Sequence, residues 1–333
     1  MTRQDVTALL TLEECITAVE GTFKLHAEGK TLSPKILGIH TNDGGFHIKA
    51  GVSALDKEYF VAKINANFPG NMAQHGLPTI QGIIAIFDGR NGQLLALMDS
   101  IEATIIRTGA ATAVATKYLA LPDAKTATIC GCGNQGRISL IALLKIRSLQ
   151  KVFAFDIDDQ QSKRLADEFS NVVQVIPIRS KDLETALNQS DICVTCTPSR
   201  QPFIRAQFIR PGTFIAAVGA DSEEKQELYP ELLASSKIVV DLLEQTANIG
   251  ELHHGIVAQK VKLGDVHAEL GEIIACKKPG RESKEEIIIF DSTGTALQDV
   301  AAAIIVYEKA MAEGRGTQIN FMERESGNLN ALF

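Results

Sequence analysis

Six residues, Gly131-Cys132-Gly133-Asn134-Gln135-Gly136, constrain this chain more than any other stretch. They follow an apolar run, Ala127–Cys130, and open a helical pattern that runs through Ser139 to Ile146. A strand that turns through this glycine spacing into a helix is the start of a dinucleotide-binding unit. Gly131 makes the tight turn, Gly133 lets the backbone approach a pyrophosphate, and Gly136 lets the helix pack on the sheet. The helix N-terminus offers free N–H groups to the phosphates, those of Asn134 and Gln135 among them. Glycine turns arise for other reasons, and a flavin or another nucleotide on a similar sheet is the competing reading. The next apolar run, Val152–Asp156, ends in an acid where a carboxylate holds ribose hydroxyls, with Ile157 beside it. Asp158, Asp159 and Gln160 follow, so no adjacent cation neutralises a 2′-phosphate. The residues predict NAD, not NADP, as the cofactor.

The rest of the chain supports a sheet of that kind. Strand candidates Ala127–Gly131, Val152–Asp156, Val173–Ile176, Ile192–Thr195, Thr213–Val218 and Ile238–Asp241 alternate with helical stretches. This is the rhythm of a Rossmann-type, doubly wound parallel α/β sheet. Before it, Lys35–His40, Phe46–Val52, Tyr59–Asn65, Thr79–Phe87 and Leu94–Met98 read as an antiparallel sheet or partial barrel, punctuated by glycine-rich turns. The first helix expected begins at Thr11, where Thr11 and Glu14 form a capping-box pattern; Met1–Glu14 otherwise reads as a polar start. A last strand, Ile287–Phe290, precedes an apolar helix from about Ala296 to Ala312 that needs a surface to pack on. The N-terminal sheet supplies one. The expected organisation is therefore a Rossmann domain over 119–299, inserted into an α+β domain of 1–118 plus 300–333.

Composition narrows the partners. The chain of 333 residues carries a net charge of −7 and no basic block, which argues against nucleic acid and anionic membranes. The start lacks a basic segment followed by an apolar one, and no apolar run approaches ~20 residues, so a cytoplasmic protein is expected. The six cysteines sit mostly in strand-like contexts and read as buried thiols. Cys193-Val194-Thr195-Cys196 reads as the end of a strand and not as a redox or metal pair, so no metal is expected.

Further motifs, in order, are Pro34-Lys35, Ala62-Lys63-Ile64-Asn65, His75-Gly76-Leu77-Pro78-Thr79, Arg107-Thr108-Gly109-Ala110-Ala111 and Thr195-Cys196-Thr197-Pro198-Ser199. Gly219-Ala220-Asp221, Lys225-Gln226-Glu227-Leu228 and Phe290-Asp291-Ser292-Thr293-Gly294 complete them. With these motifs the chain resembles the ornithine cyclodeaminase/μ-crystallin family along nearly its whole length, and within it the archaeal-type alanine dehydrogenases. The resemblance implies that Lys35, Lys63 and Arg107 surround a substrate carboxylate, with Thr79, Thr293 and Gly294 also on the substrate side. It implies that Lys63 polarises the reacting carbonyl or imine, and that Asp221 is the acid/base group, a task a raised pKa would suit. Arg107 and Thr108 are expected to open a helix, with Thr108 at its N-terminus on the cofactor phosphate. Thr197, Pro198, Val218, Gly219, Ala220, Lys225 and Ser292 are expected along the cofactor.

His47 stands where the cyclodeaminases carry a glutamate for a substrate amine. Lys49 lies two residues on and so shares its strand face; the two together would suit a second anionic or carbonyl group. The expected function is NAD-dependent reduction of a 2-oxo or 2-imino acid to a small L-amino acid, of the alanine dehydrogenase or imino acid reductase type. Redox-neutral ornithine cyclodeamination is the alternative, and a non-enzymatic, crystallin-like ligand-binding protein the third reading. The resemblance further implies a homodimer formed through the non-nucleotide domain.

Overall fold

The computed structural model describes residues 1–32, 34–54 and 57–319. Two sheets organise them. The first is a five-stranded antiparallel meander, β1 (Lys35–His40), β2 (Gly45–Ala54), β3 (Glu58–Asn67), β4 (Ile80–Asp88) and β5 (Leu94–Asp99), whose spatial order follows the chain. In its register Lys49 of β2 lies opposite Lys63 of β3, and Lys63 opposite Ile84 of β4. Strand alternation therefore puts both lysines on one face, with the buried Val61, Ile84, Ile86 and Met98. The other face carries Phe46, Phe60, Ile64, Ile83 and Leu97, all exposed.

Three helices stack on the lysine-bearing side: Leu12–Ala27 packs over the two that lie on the strands, Ile101–Leu119 and Ala296–Glu313. The last packs directly on β2 and β3, where a Cβ on Gly51 would already touch Ala296 and Val300 at 3.4 Å. The capping box at Thr11 and Glu14 starts the first of them as expected. A helix nevertheless begins earlier: Arg3–Leu9 carries its own box, Thr2 with Asp5, and buries Val6 and Leu9 completely. Val6, Ala8 and Leu9 in seven residues give too little periodicity to reveal it.

The second sheet has eight strands: β6 (Thr126–Cys130), β7 (Lys151–Phe155), β8 (Gln174–Ile178), β9 (Ile192–Thr195), β10 (Phe214–Ala217), β11 (Lys237–Val240), β12 (Val266–Glu269) and β13 (Ile288–Asp291). Their order is β8-β7-β6-β9-β10-β13-β11-β12, and every pair is parallel. The central strands are buried along their length, which explains their unbroken apolar runs. β12 is the strand not anticipated. It has four residues at the sheet edge, mostly half-buried, and shows no apolar run. β13, last in the chain, inserts between β10 and β11. That crossing brings the loop after Asp291 to the middle of the carboxyl edge, beside the loop after β10.

The glycine turn joins β6 to the helix Asn134–Ile146. Gly131 holds φ at +96°, a conformation that favours glycine, and a Cβ on Gly136 would collide with the Gly131 carbonyl oxygen. Gly133 differs, because a Cβ there meets no atom within 4 Å. The fold needs Gly136, and only something lying on the loop needs Gly133. Gly136→Ala should therefore lower stability by about 1–3 kcal/mol through overpacking. Gly133→Ala should melt like the unmodified chain yet bind NADH more weakly. Thermal denaturation beside NADH fluorescence titration checks both.

Candidate functional site

The carboxyl edge of the parallel sheet faces the lysine side of the antiparallel sheet across a cleft of about 570 Å³. Gly133, Asn134, Gln135, Thr197, Pro198, Val218, Gly219 and Ser292 line one wall. Asp156 stands just past β7 and ties that strand to the turn: its Oδ2 accepts from Cys132 N at 2.8 Å and its Oδ1 from Asp158 N at 3.0 Å. Ile157 beside it is 94% exposed, an apolar surface with no protein cover. The loops after β9 and β10 share one anchor. Buried Glu227 accepts from Thr197 N and Oγ1 at 2.7 Å each, and from Gly219 N at 3.1 Å. Burial pushes the Glu227 carboxyl up, against those hydrogen bonds.

The loop after β13 has its own anchor. Asp241, just past β11, accepts from Gly294 N at 2.9 Å and from the hydroxyls of Ser292 and Thr293 at 3.2 Å. Next to it burial raises Asp291 to about 8, its Oδ2 accepting from Leu252 N at 2.7 Å. Neither Glu227 nor Asp241 carried an expected role. For Asp241 the available signal is the one that marks Asp156, an acid just beyond an apolar strand; Glu227 lies ten residues past β10 and carries no such signal.

The opposite wall is cationic. Lys63 Nζ donates to Asp299 Oδ1 at 2.8 Å, and Arg107 Nε donates to the same oxygen at 3.0 Å. Arg107 Nη1 also donates to Gln298 Oε1 at 2.7 Å. Lys63, Arg107 and Asp299 are all buried, and the Oδ2 of Asp299 has no partner. Asp299 and Gln298 come from the first turn of the helix Ala296–Glu313, where a negative charge also meets the favourable end of the helix dipole. Burial lowers Lys63 first and the charge of Arg107 next; Lys49 adds to them against Asp299, leaving Lys63 at about 7. Burial opposes ionisation of Asp299, yet Lys63 and Arg107 hold it below the usual carboxylate range.

The structure brings His47, Lys49, Lys63, Thr79, Arg107, Thr108, Asp221, Lys225, Thr293 and Gly294 to the same cleft. It does not bring Lys35 there. Lys35 is exposed on edge strand β1 and pairs with Ala50, one residue out of phase with Lys49. It lines an adjoining pocket of about 610 Å³ that shares His47 and Asp221 with the cleft. Ala220 is buried behind the β10 loop, outside the cleft lining.

Three expectations need correction. Arg107 and Thr108 do not open a helix: it begins at Ile101, and Thr108, two turns in, spends its hydroxyl proton on Thr104 O at 2.8 Å. Thr108 therefore offers no free helix N-terminus. Asp221 is not raised. Burial favours its protonated form, but Lys225 at 2.6 Å, with Lys49 and His47, outweighs that and holds it down to about 2. Its side chain is about half exposed, which agrees with an ionised group at the cleft mouth. Lys49 is not turned to solvent or to an anion, because its Nζ donates to the carbonyls of Thr293 at 2.9 Å and Gly294 at 2.5 Å. His47 does share its face, and burial lowers His47 so that the ring is neutral near pH 7.

The cleft fits a dinucleotide on its own features. Gly133 keeps clear space over the turn, Gln135 Oε1 is buried without a partner, and Asp156 keeps acceptor capacity at the end of β7. Among the described residues, no group of three His, Cys, Asp or Glu side chains is placed to hold a metal ion.

The sequence pattern of the ornithine cyclodeaminase/mu-crystallin family matches residues 1–314. The chain belongs to that family. Among solved members, an archaeal alanine dehydrogenase, a dimer with bound NAD, is 38% identical with a TM-score of 0.91, over 96% of this chain and 98% of that one. Thermococcus litoralis Δ(1)-pyrroline-2-carboxylate reductase, in complex with NADH and L-proline, is 34% identical with a TM-score of 0.90, over 96% and 99%. The iminosuccinate reductase of Paracoccus denitrificans, in complex with NAD⁺, is 30% identical with a TM-score of 0.86, over 96% and 98%.

Asp299→Asn removes the counter-charge of two buried cations and should cost about 3–5 kcal/mol at pH 6. The deficit should shrink as pH rises through about 7, where Lys63 sheds its proton and only Arg107 stays charged. Denaturant melts at pH 6 and pH 9 measure both values.

Proposed function

We propose that this chain is an NAD-dependent oxidoreductase that reduces the C=N carbon of a small 2-imino acid, taken up as such or formed from a 2-oxo acid and ammonia with loss of water, to an L-amino acid, with oxidative deamination as the reverse. The observation that carries this reading is the buried Lys63–Asp299–Arg107 group, two cations on one carboxylate, facing the dinucleotide wall. One positive charge is left over, and a substrate carboxylate supplies the missing negative one; Arg107 offers it planar guanidinium geometry. NADH bound along the glycine turn would supply the hydride. Lys63, titrating near neutrality, donates a hydrogen bond to the carbonyl oxygen while ammonia adds and water leaves, and hands a proton to the imine nitrogen as its carbon takes the hydride. Asp221, ionised at the mouth, orients the incoming ammonia or a leaving water through hydrogen bonds. Neutral His47 and carbonyl-bound Lys49 offer no carboxylate for a second ammonium, which disfavours cyclodeamination.

We further propose a homodimer. The exposed face of the antiparallel sheet, with Phe46, Phe60, Ile64, Ile83 and Leu97, is the kind of contiguous apolar surface that a second copy covers. The dimeric state of the alanine dehydrogenase relative supports this reading. Ile64→Glu should then sediment as a monomer where the unmodified chain sediments as a dimer; dimers from both would refute this interface. We place the protein in the cytoplasm, a reading supported by six cysteines that form no disulfide. No helix among the described residues is long and apolar enough to cross a membrane. The division into 1–118 plus 300–333 and 119–299, of which 320–333 lie outside the described residues, remains our proposal for the two domains.

The test is NADH oxidation against 2-oxo acids with ammonia or methylamine, with cyclic imino acids and ornithine alongside. Net NADH loss is expected with at least one oxo or imino acid. Reductive kcat should fall as pH rises through about 7, since Lys63 must carry its proton. Lys63→Met should lose about 10²–10⁴-fold in rate. Ammonia release from ornithine without net NADH change would overturn the reductase reading, and inactivity on the whole panel with tight ligand binding would favour a crystallin-like role.

A further inference from the structure

Lys49 is a buried lysine that, among the described residues, forms no ion pair. Its ammonium has three donors, and two of them are used on the carbonyls of Thr293 and Gly294. Those carbonyls belong to the loop after β13, in the parallel sheet, whereas Lys49 belongs to β2 of the antiparallel sheet. The contact therefore bridges the cleft. The same loop is gripped from behind by Asp241, through Gly294 N and the Ser292 and Thr293 hydroxyls. Gln245 Nε2 adds donations to Thr293 Oγ1 at 2.7 Å and to Gly294 O at 3.2 Å. The Arg107 guanidinium packs close against it as well: Gly294 has φ +72°, and a Cβ there would meet Arg107 Nη1 at 2.6 Å.

We propose that Lys49 is a positioning residue that fixes the Thr293–Gly294 loop between the substrate cations and the cofactor wall, and is not a ligand of the substrate. This rests on the reductase reading of the cleft. Burying an ammonium is expensive unless its donors are satisfied, and here two backbone carbonyls do that where a carboxylate would otherwise stand. An ammonium held on two carbonyls has its position set by that loop and not by a substrate anion. The loop it holds carries Ser292 and Thr293 on the cleft lining, so its placement sets how the substrate lies against the cofactor.

Lys49 also acts on its neighbour across the strand pair. Lys63 is faced by Arg107 from the helix Ile101–Leu119, by Asp299 from the helix Ala296–Glu313 and by Lys49 from β2. Lys49 itself is faced by Arg107, Asp221, Asp299 and Asp241. Removing its charge leaves Lys63 with one repulsive neighbour fewer, so Lys63 should keep its proton to higher pH.

The experiment uses the full chain as Lys49→Met, Lys49→Gln and Lys49→Arg. NADH affinity is read by fluorescence titration. Steady-state kinetics follow with one monocarboxylic and one dicarboxylic 2-oxo acid plus ammonia, across pH. A positioning role predicts that Lys49→Met raises the NADH Kd about tenfold, the effect of losing one hydrogen bond to a charged donor. It should lower kcat equally for both substrates with KM within about twofold, and move the upper limb of the pH profile upward by about half a unit or more. Lys49→Arg, which keeps charge and donors, should restore most of the NADH affinity. Should Lys49→Met fail to fold, Lys49→Gln, with one donor pair and no charge, is held to the same NADH outcome. Unchanged NADH affinity together with a KM raised only for the dicarboxylic substrate would overturn the proposal and make Lys49 a substrate ligand. NADH binding needs no turnover, so an unmodified chain inactive on every substrate would refute the reductase reading while the binding arm still decides the role of Lys49.

Discussion

The site depends on one carboxylate. Asp299 accepts from Lys63 and Arg107 through a single oxygen, inside a core that excludes water. Without it two cations would stand buried and unpaired, a cost of several kcal/mol. With it they stay in place, still one positive charge in excess, and that excess suits the cleft to an anion. The arrangement explains the chain's path. Asp299 lies nearly 200 residues from Arg107, and it reaches the antiparallel sheet only because the last strand, β13, ends mid-sheet and feeds a helix across β2 and β3.

A second set of acids works beneath the other wall. Glu227 joins the loops after β9 and β10, and Asp241 holds the loop after β13. Both are buried, and burial raises both. They satisfy backbone N–H groups that the loops would otherwise leave orphaned, so the cofactor wall is shaped by backbone held on carboxylates. The same device appears at Asp156, which accepts from Cys132 N within the glycine turn. In this fold an acid just past a buried strand more often organises a loop than reaches solvent.

Much of this was legible beforehand. The glycine turn, Asp156 and the strand rhythm are local signals, and local signals read well: Lys35–His40 and Ile192–Thr195 are strands with the bounds expected of them. The cations Lys63 and Arg107 were identified, and they share one acid. That acid carries no signal of its own, because Asp299 sits in the first turn of a largely apolar helix, where an acid reads as an ordinary helix-start or solvent-facing residue. Its partners are far away in sequence, and periodicity carries no information about them. Thr108 was misplaced for the opposite reason. The run Gly109-Ala110-Ala111 looks like a helix start, but Ile101–Ile106 is apolar enough to extend the helix two turns upstream. Lys35, whose role is carried over by resemblance, lies outside the cleft, whereas Lys49, read from strand alternation, does share a face with His47. A shift of one residue in strand phase separates a cleft lysine from an exposed one.

The central claim is that burial and like charge poise Lys63 near neutrality while Asp299 keeps it in place. An NMR titration of the Lys63 side chain in lysine-labelled protein, assigned by its loss in Lys63→Met, tests it most directly. The account predicts a midpoint at about 7. A midpoint near 10.5, the ordinary lysine value, would contradict it.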